Sequence, residues 1–88
     1  MRSVRLVISG KVQNVGYRAF VKRNAEILKV KGHVRNLPTG EVEIVCSGQE
    51  EAVKEMIKRC KVGPERASVE KVEIEKNAGK TGNEFEVR

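Results

Sequence analysis

The chain has 88 residues, 39% apolar and 34% charged, with a net charge of +6 and its aromatics limited to Tyr17, Phe20 and Phe85. That length supports one small domain, expected to span residues 1–88, and the apolar runs are too short to cross a bilayer. Residues 1–36 carry nine Lys or Arg and a single acid, Glu26, a net +8 that leaves −2 for the remainder, so the first half should draw anions to whatever site it builds.

In chain order, "VRLVISG" (4–10) alternates Val4, Leu6 and Ile8 against Arg5, Val7 and Ser9 and ends at Gly10, which predicts a strand. From Tyr17 to Leu28 the period becomes helical, with Phe20, Val21, Ala25 and Leu28 on one face and Lys22, Arg23, Asn24 and Glu26 on the other. "KGHVRNLPTGEVEIVCSG" (31–48) predicts two strands around "LPTG", a Pro-then-Gly turn. In the second strand Val42, Ile44 and Cys46 should face inward and Glu41 and Glu43 outward. "SGQEEAVKEMIKRC" (47–60) predicts a second helix capped by Ser47 or Gly48. Glu50 and Glu51 suit its positive end, and Lys58 and Arg59 its negative end. "ASVEKVEIEK" (67–76) alternates as a further strand, and "EFEVR" (84–88) supplies a short last one.

The order predicts an α+β, ferredoxin-like βαββαβ sandwich with a short extra C-terminal strand. Two helices cover one face of an antiparallel sheet. Glu41, Glu43, Glu70, Glu73 and Glu75 should lie on a second face open to water.

The chemistry-bearing residues are few. Cys46 and Cys60 lack metal-ligand spacing and fall within apolar patterns, so reduced core thiols are expected rather than a disulfide or a reactive thiol. His33 is the only histidine, which excludes a multi-histidine metal site. Arg2 and Arg5 have no continuous apolar stretch behind them, so no secretory leader is expected and a cytoplasmic location is the default.

The informative stretch is "SGKVQNVGYR" (9–18), where two glycines and two amides separate a strand from a helix. Backbone N–H groups at a helix start point outward at the positive end of the helix dipole and can wrap an oxyanion. Arg18, in the first turn, adds a planar fork suited to phosphate. The glycine spacing matches neither a dinucleotide fingerprint nor a Walker A loop. From composition alone the loop remains open to two readings, a phosphate cradle or an ordinary strand-to-helix connection. Asn36, just before "LPTG", reads on the residues alone as a turn residue before a functional one. Arg35 and Lys11 read as solvated charges that add to the local field.

"GKVQNVGYR" followed by "GHVRNLPTGEVEIVCSG" resembles the two signature blocks of the acylphosphatase family, close to G-x-V-Q-G-V-x-F-R and G-x-V-x-N-x-x-D/T-G-x-V-E. They stand in the usual order and separation, and the resemblance covers the whole chain. It implies the ferredoxin-like sandwich and metal-independent hydrolysis of the carboxyl–phosphate bond of acyl phosphates, with no cofactor. It also implies that Arg18 binds the phosphoryl group and that Asn36 positions the attacking water. The substrate cradle would comprise Gln13, Asn14, Val15, Gly16, Tyr17 and Arg18. Three residues depart from the family pattern. Asn14 stands where Gly is usual, which bears on phosphate affinity. Tyr17 replaces Phe and brings a hydroxyl that needs a partner. His33 stands where Trp is common and reads as a sheet or surface residue without a catalytic role.

The implied reaction suits this inventory. The leaving group is a carboxylate, stable at neutral pH because carboxyl pKa values lie near about 4, so no general acid must protonate it. Positioning and charge stabilisation are the main requirements. Asn36 can accept a hydrogen bond from water through its carbonyl and donate one through its amide. Expected partners are a small-molecule acyl phosphate and inorganic phosphate, with no nucleic acid and no membrane, and the chain is expected to be a monomer. An RNA-binding reading of the same fold is disfavoured, because the wet face carries glutamates and no aromatic to stack on bases. An acylphosphatase-like phosphate-binding module of weak or no activity is the remaining alternative.

Overall fold

The computed structural model describes residues 1–76 and 81–88. The elements are β1 (Arg2–Lys11), α1 (Tyr17–Leu28), β2 (Lys31–Asn36), β3 (Val42–Gly48), α2 (Glu50–Val62), β4 (Ser68–Lys76) and β5 (Phe85–Val87). The strands form one sheet in the order β4-β1-β3-β2-β5, the α+β, ferredoxin-like arrangement expected from the sequence.

Period-2 alternation builds the core. Leu6 of β1 lies opposite Ile44 of β3, which lies opposite Val34 of β2, and all three are fully buried. Ile8 and Val42 make the next row. Against this face α1 sets Tyr17, Val21 and Ala25, spaced at i, i+4 and i+8, and α2 sets Val53, Met56, Ile57 and Cys60. Each large apolar side chain removed from water contributes roughly 1.5–3 kcal/mol.

Three expectations are corrected. The sheet is mixed, because β5 joins β2 in parallel, with Gly32, His33 and Val34 opposite Phe85, Glu86 and Val87. A strand of three residues carries no directional signal in its sequence. Secondly, α2 begins after Gln49, which is extended at φ −66° and ψ 148° and makes no side-chain cap bond. Ser47 and Gly48 belong to β3, where they pair with Ser3 and Arg2 of β1. Thirdly, Glu43 is not wet. It lies on the face away from the helices, yet only 6% of it is exposed. Arg5 Nε donates to its Oε2 at 2.7 Å, and Arg35 Nε to its Oε1 at 2.6 Å. Two arginines from neighbouring strands fold their stems over the carboxylate and satisfy both oxygens. Arg35 is therefore an ion-pair partner and not a merely solvated charge. Burial alone would raise the Glu43 pKa, but the two guanidiniums outweigh it and hold the carboxyl below its ordinary value.

Two features aim the chain at the site. The β1–β4 register shifts between Ser9 and Gly10. Gly10 has φ 122°, and a Cβ there would lie 2.2 Å from the Ser68 carbonyl oxygen. Only glycine fits this bulge, which turns the end of β1 toward α1. The β2–β3 connection is a tight turn, with Gly40 N–H donating to Leu37 O at 3.1 Å and Leu37 N–H to Glu41 O at 2.8 Å.

Candidate active site

The β1–α1 loop is anchored by its apolar residues and open at its polar ones. Val12 and Val15 are buried in the core, while Asn14 and Gly16 are exposed. Asn14 adopts φ 61° and Gly16 φ 78°, two left-handed bends that turn successive amides toward one side. Asparagine tolerates this region better than other side chains do, which explains how Asn14 occupies a position where Gly is usual.

The first backbone hydrogen bond of α1 runs from Phe20 N–H to Gly16 O at 3.0 Å. Among the described residues, the amides from Gln13 to Ala19 donate to no loop or cap partner. Gly16 makes no side-chain cap bond, and the first turn of α1 contains no acid. The positive end of the helix is thus left uncompensated, with Arg18 beside it.

A cavity of about 410 Å³ opens at this helix start. Of the residues expected at the site, Asn14, Gly16, Tyr17 and Arg18 line it; Gln13, Val15 and Asn36 do not. Arg18 is half-buried and directs one terminal N–H to the main-chain oxygen of Arg88, just beyond β5, at 3.0 Å. That bond fixes the guanidinium at the mouth while leaving its other donors available.

The side chains of three of the residues expected in the cradle serve the fold. Val15 packs in the core. Tyr17 is buried, and its hydroxyl donates to the Cys60 carbonyl oxygen at 2.6 Å. Cys60 lies in the last turn of α2, where carbonyls lack helical partners. Burial, reinforced by that contact, pushes the phenol pKa well above its ordinary 10. Gln13 uses its side-chain amide nitrogen twice, donating to Leu37 O and to Glu41 O, each at 2.9 Å. These carbonyls flank the turn after Asn36, so Gln13 ties the β1–α1 loop to the strand end that carries Asn36. Sequence reasoning missed this clamp; a Gln between two loops carries no periodic signal.

Asn36 closes β2 opposite Val42 and shares the helix-covered face with Val34. Its Oδ1 is buried without a hydrogen-bond partner, unusual for a buried carbonyl. His33 lies on the other face of β2, its Nε2 3.6 Å from Glu43 Oε1. Burial, then the charge of Arg88, holds its pKa below 6.5. Cys46 and Cys60 are free and buried, and burial pushes their thiols up to about 11 and about 12. Among the described residues no group of three or more His, Cys, Asp or Glu is arranged to hold a metal ion. Nor is any helix long and apolar enough to cross a membrane. Lys22, Arg23 and Val87 also line the cavity, and the sequence reading had not placed them there. The spacing of four residues from Arg18 was a usable signal for Lys22.

Comparison with known proteins bears on the family and the fold. The acylphosphatase family model matches residues 4–87. An acylphosphatase from Caldivirga maquilingensis is 52% identical over 77 residues, covering 86% of this chain and 81% of the relative. Another from Methanocella arvoryzae is 39% identical over 90 residues and covers both chains completely. The crystal structure of acylphosphatase from Bacillus subtilis superposes with a TM-score of 0.94 at 30% identity, covering 100% of this chain and 99% of that one. The same fold occupies 12% of full-length HypF in its phosphate- and nucleotide-bound form, with a TM-score of 0.91 at 26% identity and 99% of this chain covered. The chain belongs to the acylphosphatase family, whose activity is the hydrolysis of acyl phosphates.

Proposed function

We propose that the β1–α1 loop is the phosphate cradle and that Arg18 and Asn36 carry the reaction. The observation that supports this most strongly is the run of amides from Gln13 to Ala19, which have no loop or cap partner among the described residues, at the positive end of a helix. The amides from Gln13 to Arg18 and the free donors of Arg18 bind the phosphoryl oxygens and stabilise the charge that builds on them in transfer. Asn36 Oδ1 accepts a hydrogen bond from the attacking water, which accounts for a buried acceptor with no protein donor. Gln13 acts through both sites by holding the loop against the strand end. The carboxylate leaves unprotonated, so neither a general acid nor a metal is required.

The alternative of a binding module without turnover rests on Asn14. Its side chain is exposed and its backbone keeps the left-handed bend, which favours a working cradle. The enzyme would act on small-molecule acyl phosphates as a monomer. A cytoplasmic location fits the two free thiols.

Hydrolysis of benzoyl phosphate in the presence of EDTA tests the reading. Turnover that EDTA leaves intact and inorganic phosphate inhibits competitively is expected. Loss of activity with EDTA, or noncompetitive inhibition, contradicts it.

A further inference from the structure

The cavity at the start of α1 does not end at the cradle. It continues along the helix past Ala19 to Lys22, Arg23 and Glu26, with Val12 and Val87 as apolar wall. Its volume of about 410 Å³ is well beyond what a phosphoryl group fills and matches a small organic ligand. Lys22 lies one helical turn past Arg18, on the same face and roughly 6 Å further along the axis. It is half-buried, and among the described residues no acid pairs with it, although Glu26 follows at i+4. Arg23, which is exposed, likewise has no acid partner among the described residues. The half-buried cations elsewhere are paired, Arg2 with Glu50, Arg5 with Glu43 and Arg59 with Glu55, whereas exposed ones such as Lys29, Lys58 and Lys61 show no acid partner among the described residues.

We infer that Lys22 is a specificity-determining residue, selecting acyl phosphates whose acyl part carries its own negative charge. This rests on the cradle proposed above. With the phosphoryl group on the loop amides and Arg18, the acyl group extends along α1 over Val12 and Val87. A terminal anion on it then meets Lys22, with Arg23 adding to the field and Glu26 opposing it. The partly enclosed site strengthens this attraction over its value in open water. A neutral acyl group gains only the apolar wall.

The test compares 4-carboxybenzoyl phosphate with 4-carbamoylbenzoyl phosphate, which share shape and differ in charge. At low ionic strength the ratio of their kcat/KM values should favour the carboxylate by about fivefold in the wild-type protein, a difference typical of one partly exposed charge pair. Salt should shrink that ratio. Lys22→Gln should bring it to about 1, Lys22→Arg should preserve it, and Glu26→Gln should raise it. A merely structural role for Lys22 would lower both substrates together and leave the ratio unchanged. A ratio near 1 in the wild type, or one that survives Lys22→Gln, overturns the inference while the cradle stands. Failure to hydrolyse either compound overturns the cradle and this inference with it.

Discussion

The two helices begin in opposite ways. The first turn of α2 holds Glu50 and Glu51, and its last turn holds Arg59 and Lys61. Each charge complements the helix dipole and stabilises by typically 0.3–1 kcal/mol. The first turn of α1 holds no acid, its last turn no base, and its positive end is met by an arginine. Both helices lack a side-chain cap bond, so the difference is one of charge. The fold compensates one helix start internally and leaves the other uncompensated. Favourable electrostatics at α1 would occupy the place where phosphate is proposed to bind, a stability–function trade-off written into a single turn.

Changes at α1 can break or sharpen that contrast. The largest effect is expected for Arg18→Ala, which should reduce kcat/KM for benzoyl phosphate by about 10²–10³-fold, the usual range for removing a donor to transition-state charge. It should also weaken inhibition by inorganic phosphate. Full retention of both would remove Arg18 from the site. Next is Ala19→Glu, which places in α1 the acid that α2 already has. A carboxylate there should raise the melting temperature by a few degrees, corresponding to about 0.3–1 kcal/mol, while weakening phosphate inhibition by tenfold or more. A gain in stability with undiminished phosphate affinity would show that this helix start is not the anion site.

Further from the chemistry, Tyr17→Phe leaves the Cys60 carbonyl without its donor. Thermal unfolding should then fall by roughly 4–8 °C, about 1 kcal/mol, with turnover changed far less than by Arg18→Ala. An unchanged melting temperature would mean that the hydroxyl contributes nothing net. The smallest effect is confined to acid. The Glu43 pKa is depressed below its ordinary 4.5 in the folded state. The unfolded chain therefore binds more protons near that pH, and the stability Glu43 contributes is present above about 4.5 and lost as pH falls through its folded value. Glu43→Gln should flatten that acid limb, measured by urea unfolding between pH 6 and 3. An unaltered slope would place the acid sensitivity elsewhere.

The sequence carried the fold wherever one residue type repeated with one period. Val4, Leu6 and Ile8 announced β1, and "LPTG" announced the hairpin turn. What escaped it depends on neighbours distant in the chain. Glu43 alternates outward like any wet glutamate, and its burial comes from residues of the neighbouring strands, chiefly Arg5 and Arg35. The parallel pairing of β5 is decided by where its short strand meets β2. At the proposed site, the loop, Arg18 and Asn36 were legible through motif and spacing. The division of labour within the loop was not. Val15 and Tyr17 offer the site only their backbone, because their side chains meet the core and α2. The Gln13 side chain is committed to two carbonyls of the hairpin. Such roles depend on which way each side chain points, and an irregular loop has no period from which to read it.

The most direct measurement is steady-state hydrolysis of benzoyl phosphate by Asn36→Ala beside the wild-type protein, with the inhibition constant of inorganic phosphate determined for both. If Asn36 positions water while the cradle binds phosphate, kcat should fall by about a hundredfold or more with phosphate affinity little changed. Undiminished turnover, or a loss confined to phosphate affinity, would contradict the separation of roles between Asn36 and the loop.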